Sequence, residues 1–461
     1  MSVLPGATLG VPDRVSPTTA FPPPAPHLEP AALKAPAMPS TEITDSPVPG
    51  NSSAGTTSVS AGDAGAVPHI AAVTGSAGGL GAAAEPPASP GDASGQSSDG
   101  DDSGSESYVF EGPEKNIEIC FKQGVGEPEG CRCLSREALD TICAAAQCTI
   151  LSSISNDKLD AYVLSESSLF VYPHKMVLKT CGKTTLLRCL QPLLRFVADL
   201  GLELEWLGDS RKNYTFPDDQ VFPHSSFQEE FSYLKKHPHL NARLNGNGYI
   251  LGPITGDHLL VYVADKCDRE DVPGTERTLN IMMFDMEPAV SNVFYKETCP
   301  TAREMTERSG IGKLVPGAAI DDCAFDPCGY SMNAVLYSSY TTVHITPEPE
   351  CSYASFETNT QLKSYTALIN NVLSVFRPRR ILVTLIADAA GLGQVTESPF
   401  DNAAIEIPGA SYLRSTTTSA KVEGDCCVLM GNWERRTGVS GAQAALNNDR
   451  AHRRGNRINS I

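Results

Sequence analysis

The chain has 461 residues, 20% of them Asp, Glu, Lys or Arg, and a formal net charge of −18. That acidic surplus argues against a general nucleic-acid binder, whose affinity rests on neutralising phosphates, and favours solubility and a cationic ligand. No run approaches the roughly 18 apolar residues of a membrane-spanning helix, and no apolar core follows a basic start as a secretory signal needs, so a cytosolic protein off the membrane is expected. Residues 1–107 are rich in Ala, Gly, Pro, Ser and Thr, with two basic residues, Arg14 and Lys34, one aromatic, Phe21, and a closing acidic run. Such a segment cannot bury enough apolar surface to offset its ordering entropy and is expected to be disordered. A folded core is expected over 108–433, followed by a flexible basic tail over 434–461.

Along the core, Ser135 caps a predicted helix over Arg136–Ala146 with Leu139, Ile142, Cys143 and Ala146 on one face. The stretch "LSESSLF", Leu164–Phe170, sets Glu166, Ser167 and Ser168 inside an apolar run that otherwise reads as strand. Buried polar groups are costly unless bonded or used, which marks these residues. A second helix is expected from near Thr184, with Leu186, Leu190, Leu193 and Val197 in a stripe interrupted by Pro192. A capping box, Ser226 and Glu229, opens a third that stops by Pro238. A fourth is predicted over Gln361–Phe376. Between them "KMVLKT", "LLVYVAD", "TLNIMMF", "TTVHIT", "CSYASFET" and "ILVTLIAD" read as strands. Several are joined by loops too short for crossovers, so antiparallel sheets carrying helices, an α+β fold, are expected.

Two nucleotide motifs fail on inspection. "CGKTT" needs a glycine five residues before Gly182, where Val177 stands, and "GNGYILG" misses GxGxxG by one residue. None of the fourteen cysteines forms a CxxC pair, and "CRC" lacks zinc spacing, so reduced, mostly structural thiols and no metal are expected.

A serine hydroxyl can attack the carbonyl of its own preceding residue, an intramolecular step that proximity favours by about 7–11 kcal/mol when the geometry is held. A base that then removes the serine α-proton cuts the chain by β-elimination and leaves a pyruvoyl group. Its carbonyl can condense with a substrate amine and act as an electron sink, chemistry suited to amino-acid decarboxylation.

"YVLSESSLFVYPHKMVLKTCG", "FEGPEKNIEI", "DPCGYSMN" and "VHITPEPECSYASFET" closely resemble eukaryotic S-adenosylmethionine decarboxylase, plant and algal members in particular. The resemblance covers about Phe110 to Leu385 and weakens after Ala387. It implies a proenzyme cut between Glu166 and Ser167 into a small and a large chain, the large one beginning with the pyruvoyl cofactor from Ser167. By the family's pattern His344 is the processing base, Ser331 the serine that assists it, and Cys181 the acid that reprotonates the substrate α-carbon. Phe110 and Phe325 match the aromatics that sandwich adenine near the sulfonium, Glu348 the carboxylate that accepts the ribose hydroxyls, and Glu166 a further substrate contact. Glu111 and Glu114 match acids involved in activity. Read without the motifs, His344 is a satisfied histidine on an alternating strand, Cys181 one packing thiol among many, the two phenylalanines core and the glutamates a solvated face.

The fold implied is a four-layer αββα sandwich of two antiparallel sheets. The product would be decarboxylated S-adenosylmethionine, the aminopropyl donor for spermidine and spermine. Animal members hold putrescine in an acidic cluster, to which Glu118, Lys179, Thr278 and Glu357 correspond. Two further carboxylate positions fall at Glu276 and at Asn280, which has no charge, and Arg277 is expected to add a cation beside them, so putrescine is expected to do little. A monomer is expected over a homodimer. Two competing readings are a cysteine hydrolase using Cys181 and His344, and a noncatalytic paralogue that regulates an active decarboxylase.

Overall fold

The computed structural model describes residues 110–241, 244–266 and 276–436, all within the second of the two units into which the chain divides, Asp99–Ile461. The segment 1–107 and the tail beyond 436 lie outside the described residues. The tail expected from Glu434 begins later, because the last strand runs to Arg435.

Eight strands form one sheet: β1 (Lys115–Phe121), β2 (Ile150–Ser155), β3 (Asp160–Leu164), β4 (Ser167–Val171), β5 (Lys175–Thr180), β6 (Leu204–Lys212), β7 (Asn245–Leu251) and β8 (Leu259–Asp265), in the order β2-β3-β4-β5-β1-β6-β8-β7. Nine form the other: β9 (Arg277–Phe284), β10 (Ala319–Ala324), β11 (Tyr330–Leu336), β12 (Ser339–Thr346), β13 (Tyr353–Thr358), β14 (Arg380–Asp388), β15 (Ala404–Ile407), β16 (Ala410–Lys421) and β17 (Cys426–Arg435). Their order is β10-β11-β12-β13-β9-β14-β17-β16-β15. Neighbouring strands such as β1 and β5, or β11 and β12, run antiparallel.

Alternation along each strand sorts the side chains into layers. Ile117, Ile119, Leu169 and Leu178 of the first sheet pack with Leu139, Ile142, Leu190 and Leu193 of the helices Arg136–Ala145 and Leu190–Asp199. Ile281, Met332, Val343 and Phe356 of the second sheet pack with Ile369, Val372, Leu373 and Phe376 of the helix Thr366–Phe376. The opposite faces meet each other: Phe170 and Val177 lie with Val335 and Tyr340, and Leu259 and Val261 with Met282 and Leu382. The result is a four-layer αββα sandwich, as the α+β reading expects.

The expected caps are present. Ser135 accepts the Ala138 N–H at 3.2 Å and Ser226 the Glu229 N–H at 3.2 Å. Three expectations need correction. The stretch from Thr184 opens as a 3-10 turn, Leu186–Cys189, before the α-helix Leu190–Asp199. Early donors there are taken from outside: Thr185 N–H by Ala146 O at 3.1 Å and Leu187 N–H by His224 Nε2 at 3.2 Å. Pro192 falls in the helix's first turn, where no intrahelical donor is missed.

The fourth helix starts at Thr366 rather than Gln361, because Arg277 takes the Gln361 side-chain oxygen (2.9 Å) and the Leu362 carbonyl (3.1 Å). That carbonyl would otherwise accept the Thr366 N–H. The third correction is at "LSESSLF": it is not one strand but a hairpin, with Ser165 and Glu166 as the turn and Leu164 paired to Ser167.

Phe376 is fully buried in the helix-side core of the second sheet. Phe376→Ala should lower unfolding free energy by about 3–5 kcal/mol, read as a shift in urea midpoint at unchanged m-value.

Candidate active site

The hairpin brings Ser167 in as the first residue of β4, paired on one side with Leu164 and on the other with Thr180. Ser167 is 2% exposed and has φ +145°. A non-glycine residue held in that sparsely populated region stores strain of about 1–3 kcal/mol, which the flanking ladders sustain. The carbonyl of Glu166, just ahead of it, is held by two donors from one residue: Cys181 N–H at 2.9 Å and the Cys181 thiol at 3.1 Å.

From the facing sheet comes His344, whose register partners are Ser331 on β11 and Ser355 on β13. Ser331 Oγ lies 2.9 Å from His344 Nδ1. Three hydroxyls surround the other ring nitrogen: Thr342 Oγ1 at 2.8 Å, Ser167 Oγ at 3.1 Å and Ser168 Oγ at 3.1 Å. Burial, aided by the charge of Lys179, lowers the His344 pKa to about 3. The ring is therefore a neutral base at physiological pH, within reach of the Ser167 hydroxyl.

Cys181 behaves in the opposite sense. Burial first, then the charges of Glu166 and Glu114, push its thiol well above its ordinary pKa. A proton held on sulfur suits an acid and is the reverse of the thiolate a cysteine hydrolase needs; the thiol's bond is to the Glu166 carbonyl, while the imidazole is occupied by hydroxyls.

A cavity of about 560 Å3 joins these groups, lined by Phe110, Glu166, Ser167, Cys181, Tyr295, Phe325, Cys328, Ser331, His344 and Glu348. Eight of these are the residues that the sequence motifs single out. Gly182 makes the fit possible: it has φ +64°, and a Cβ there would lie 2.7 Å from the Phe110 ring. One carboxylate oxygen of Glu348 is buried without a hydrogen-bond donor.

Glu111 and Glu114 stand outside the lining. Glu111 accepts the N–H groups of Thr215 (2.8 Å) and Phe216 (2.7 Å), anchoring the segment after β6. Glu114 accepts from Tyr353 OH at 2.8 Å and from Ser355 Oγ, tying β1's approach to the second sheet. Ser168, marked in the sequence with its neighbours, reaches His344, and two residues around it were missed there: Thr342, and Asn333, whose Oδ1 accepts from Ser168 Oγ at 2.7 Å. Alternation could have found Thr342, two residues from His344 on the same strand face. Nothing in spacing points to Tyr295.

Of the acidic-cluster positions, Glu118, Thr278, Asn280 and Glu357 line a second, smaller cavity of about 40 Å3 between the sheets. Lys179 lies 2.6 Å from Glu357, which also accepts from Asn280 Nδ2 and Tyr340 OH at 2.9 Å each. Arg277 does not stand beside the cluster: its side chain is tied to Gln361 and Leu362 instead. The second cation there, beside Lys179, is Lys175, 2.8 Å from Glu276 and 3.9 Å from Glu118. Against burial, which lowers it, Glu118 and Glu276 hold its pKa well above the ordinary lysine value. No group of three or more His, Cys, Asp or Glu among the described residues could hold a metal ion, and no described helix is long and apolar enough to cross a membrane.

Comparison with known proteins gives one consistent picture. The family model described as adenosylmethionine decarboxylase matches residues 107–433. The chain is 41% identical over 337 residues to the S-adenosylmethionine decarboxylase proenzyme of Dictyostelium discoideum, covering 71% of this chain and 86% of that protein. To the Drosophila melanogaster proenzyme it is 38% identical, covering 67% and 91%, and to that of Ipomoea nil 38% identical, covering 63% and 82%. A crystal structure of a Trypanosoma brucei AdoMetDC-delta26 monomer aligns at 30% identity with a TM-score of 0.46, over 58% of this chain and 99% of that one.

Because the unfolded chain protonates an ordinary imidazole near pH 6.5 while buried His344 resists until about pH 3, its contribution to stability is complete above about pH 6.5 and declines as pH falls. His344→Gln should flatten part of the loss of urea midpoint between about pH 7 and pH 4.

Proposed function

The chain belongs to the adenosylmethionine decarboxylase family, and from that premise we propose that it is made as a precursor that cuts itself between Glu166 and Ser167, then decarboxylates S-adenosylmethionine through a pyruvoyl group derived from Ser167. The observation that carries this is one contact set: Ser167 Oγ lies 3.1 Å from the neutral His344 ring, and the carbonyl it would attack is held by the Cys181 N–H and thiol.

The residues present fit the group. Ser167 Oγ attacks the Glu166 carbonyl carbon while His344 takes the hydroxyl proton. The oxygen that becomes negative meets Cys181's two donors, and such donors are most effective where water is excluded. The Glu166–Ser167 C–N bond breaks as His344 passes the proton to the Ser167 nitrogen, and an ester replaces the amide. Removal of the Ser167 α-proton by His344 then expels the Glu166 carboxylate. Hydration of the remaining dehydroalanine releases ammonia and leaves the pyruvoyl end.

A pyruvoyl group formed from Ser167 would supply a carbonyl for the substrate's amine and an electron sink for the loss of its carboxylate. Around it, Phe110 and Phe325, which line the same cavity, would stack on adenine and face the sulfonium. Glu348, with one oxygen free of donors, would accept ribose hydroxyls, and Cys181 holds the proton that the substrate carbon must receive. The product would serve as the aminopropyl donor for spermidine and spermine.

Intact mass of the purified protein under denaturing conditions tests the first half: two chains dividing after Glu166, with summed mass equal to that of the precursor plus water less ammonia. Ser167→Ala should stay whole. An unsplit wild type would point instead to a noncatalytic partner of an active paralogue.

The inter-sheet cluster supports a further point about this enzyme's control. Its Glu118–Glu276 acids already hold the Lys175 ammonium, and the cavity has room for about three waters. Turnover should change by less than about twofold on adding putrescine, since the charge a diamine would bring is supplied internally. A several-fold rise in the unmodified enzyme would overturn this.

A further inference from the structure

Cys181 acts from a sharp turn, and its usefulness depends on that turn staying where it is. Gly182 N–H donates to Glu111 O at 2.8 Å. The Gly182 carbonyl accepts from Lys115 Nζ at 2.7 Å, and the same ammonium donates to Gln220 Oε1 at 3.2 Å and lies 5.7 Å from the Tyr214 ring centre. Lys115 is 1% exposed, opposite Thr180 at the head of β1, and the next residues on its face, Ile117 and Ile119, are apolar core.

The strand's pattern would be completed by an aliphatic side chain at 115. Instead an ammonium is buried there with two neutral acceptors, at the cost that desolvation imposes. Burial lowers its pKa to about 8, opposed by the nearby carboxylates of Glu230 and Glu111. The same charge lies close enough to Cys181 and Glu166 to favour their ionised forms.

We infer that Lys115 is a positioning residue for self-cleavage: by holding the Gly182 carbonyl it keeps the Cys181 N–H and thiol on the Glu166 carbonyl. The inference rests on the self-cleavage proposed above. In that step the Ser167 Oγ–carbonyl carbon bond forms, the hydroxyl proton passes to His344 and then to the departing Ser167 nitrogen, and the C–N bond breaks. Lys115 bears on the interval in which the carbonyl oxygen carries negative charge, when a displaced donor costs most.

The test follows the precursor made by cell-free synthesis, with uncut and cut chains resolved by intact mass over time. Lys115→Met should slow cutting about tenfold or more, the range for one lost charge-assisted hydrogen bond. Its uncut chain should resist hydroxylamine, because an amide rather than an ester accumulates. Lys115→Arg should restore cutting to within about threefold, since a guanidinium also donates to a carbonyl. Thermal melts of all variants report folding; should Lys115→Met fail to melt cooperatively, Lys115→Gln carries the same comparison.

Cutting at the wild-type rate in a folded neutral variant overturns the inference. So does a hydroxylamine-labile chain, which would place the delay after the acyl shift, and so does a folded Lys115→Arg that stays slow, which would leave only packing. A wild type that never cuts removes the reading beneath it, and is told apart because Lys115 is then unaltered.

Discussion

Two sheets that each hide one face under helices must bury their remaining faces against each other. In this chain those inner faces are polar through their middle. Buried polar groups without partners would undo the sandwich, so the seam is stitched across: Ser168 to Asn333, Lys179 to Glu357, Tyr353 to Glu114. These bonds are directional, whereas apolar contact is not. They set how one sheet lies over the other, and that setting is what brings Ser167 of β4 to within 3.1 Å of His344 on β12.

Reactivity at the site comes from opposed responses to the same dry surroundings. Burial strips the proton from His344 and fixes one on Cys181, because each group avoids its charged form. One environment thus yields a base and an acid whose heavy atoms address successive residues, Ser167 and Glu166. No metal ligand set among the described residues accompanies them.

How much of this can be read from the chain depends on the residue. Ser135 and Ser226 announce their helices because caps act locally, and "LLVYVAD" or "ILVTLIAD" announce strands because both faces are buried. The helix near Gln361 is misjudged at its start because Arg277, more than eighty positions away, claims its carbonyl. The hairpin at Ser165–Glu166 is hidden by apolar residues on either side, which read the same whether the chain goes straight or turns. β16, with the sequence ASYLRSTTTSAK and half-exposed along its length, has too few apolar residues to display a period. His344 by itself looks like any histidine on an alternating strand; its role is legible through the motif around it, and its Ser331 partner becomes adjacent only through the register of β11 and β12.

Under the proposed cut of the Glu166–Ser167 bond, the strand order has a consequence for what would remain. β1, β2 and β3 then belong to one fragment and every later strand to the other, yet β3 still pairs with β4, and β1 lies between β5 and β6. The fragments are interleaved in a single sheet rather than docked along a surface. Separating them means tearing a central strand from both neighbours, which is equivalent to unfolding, so their union endures for as long as the fold does and its lifetime is set by a rate rather than by an affinity. Regaining the fold after loss would also be harder than reaching it first, because a search within one chain has become an encounter between two. A chain arranged in this way has to complete its fold while it is still whole.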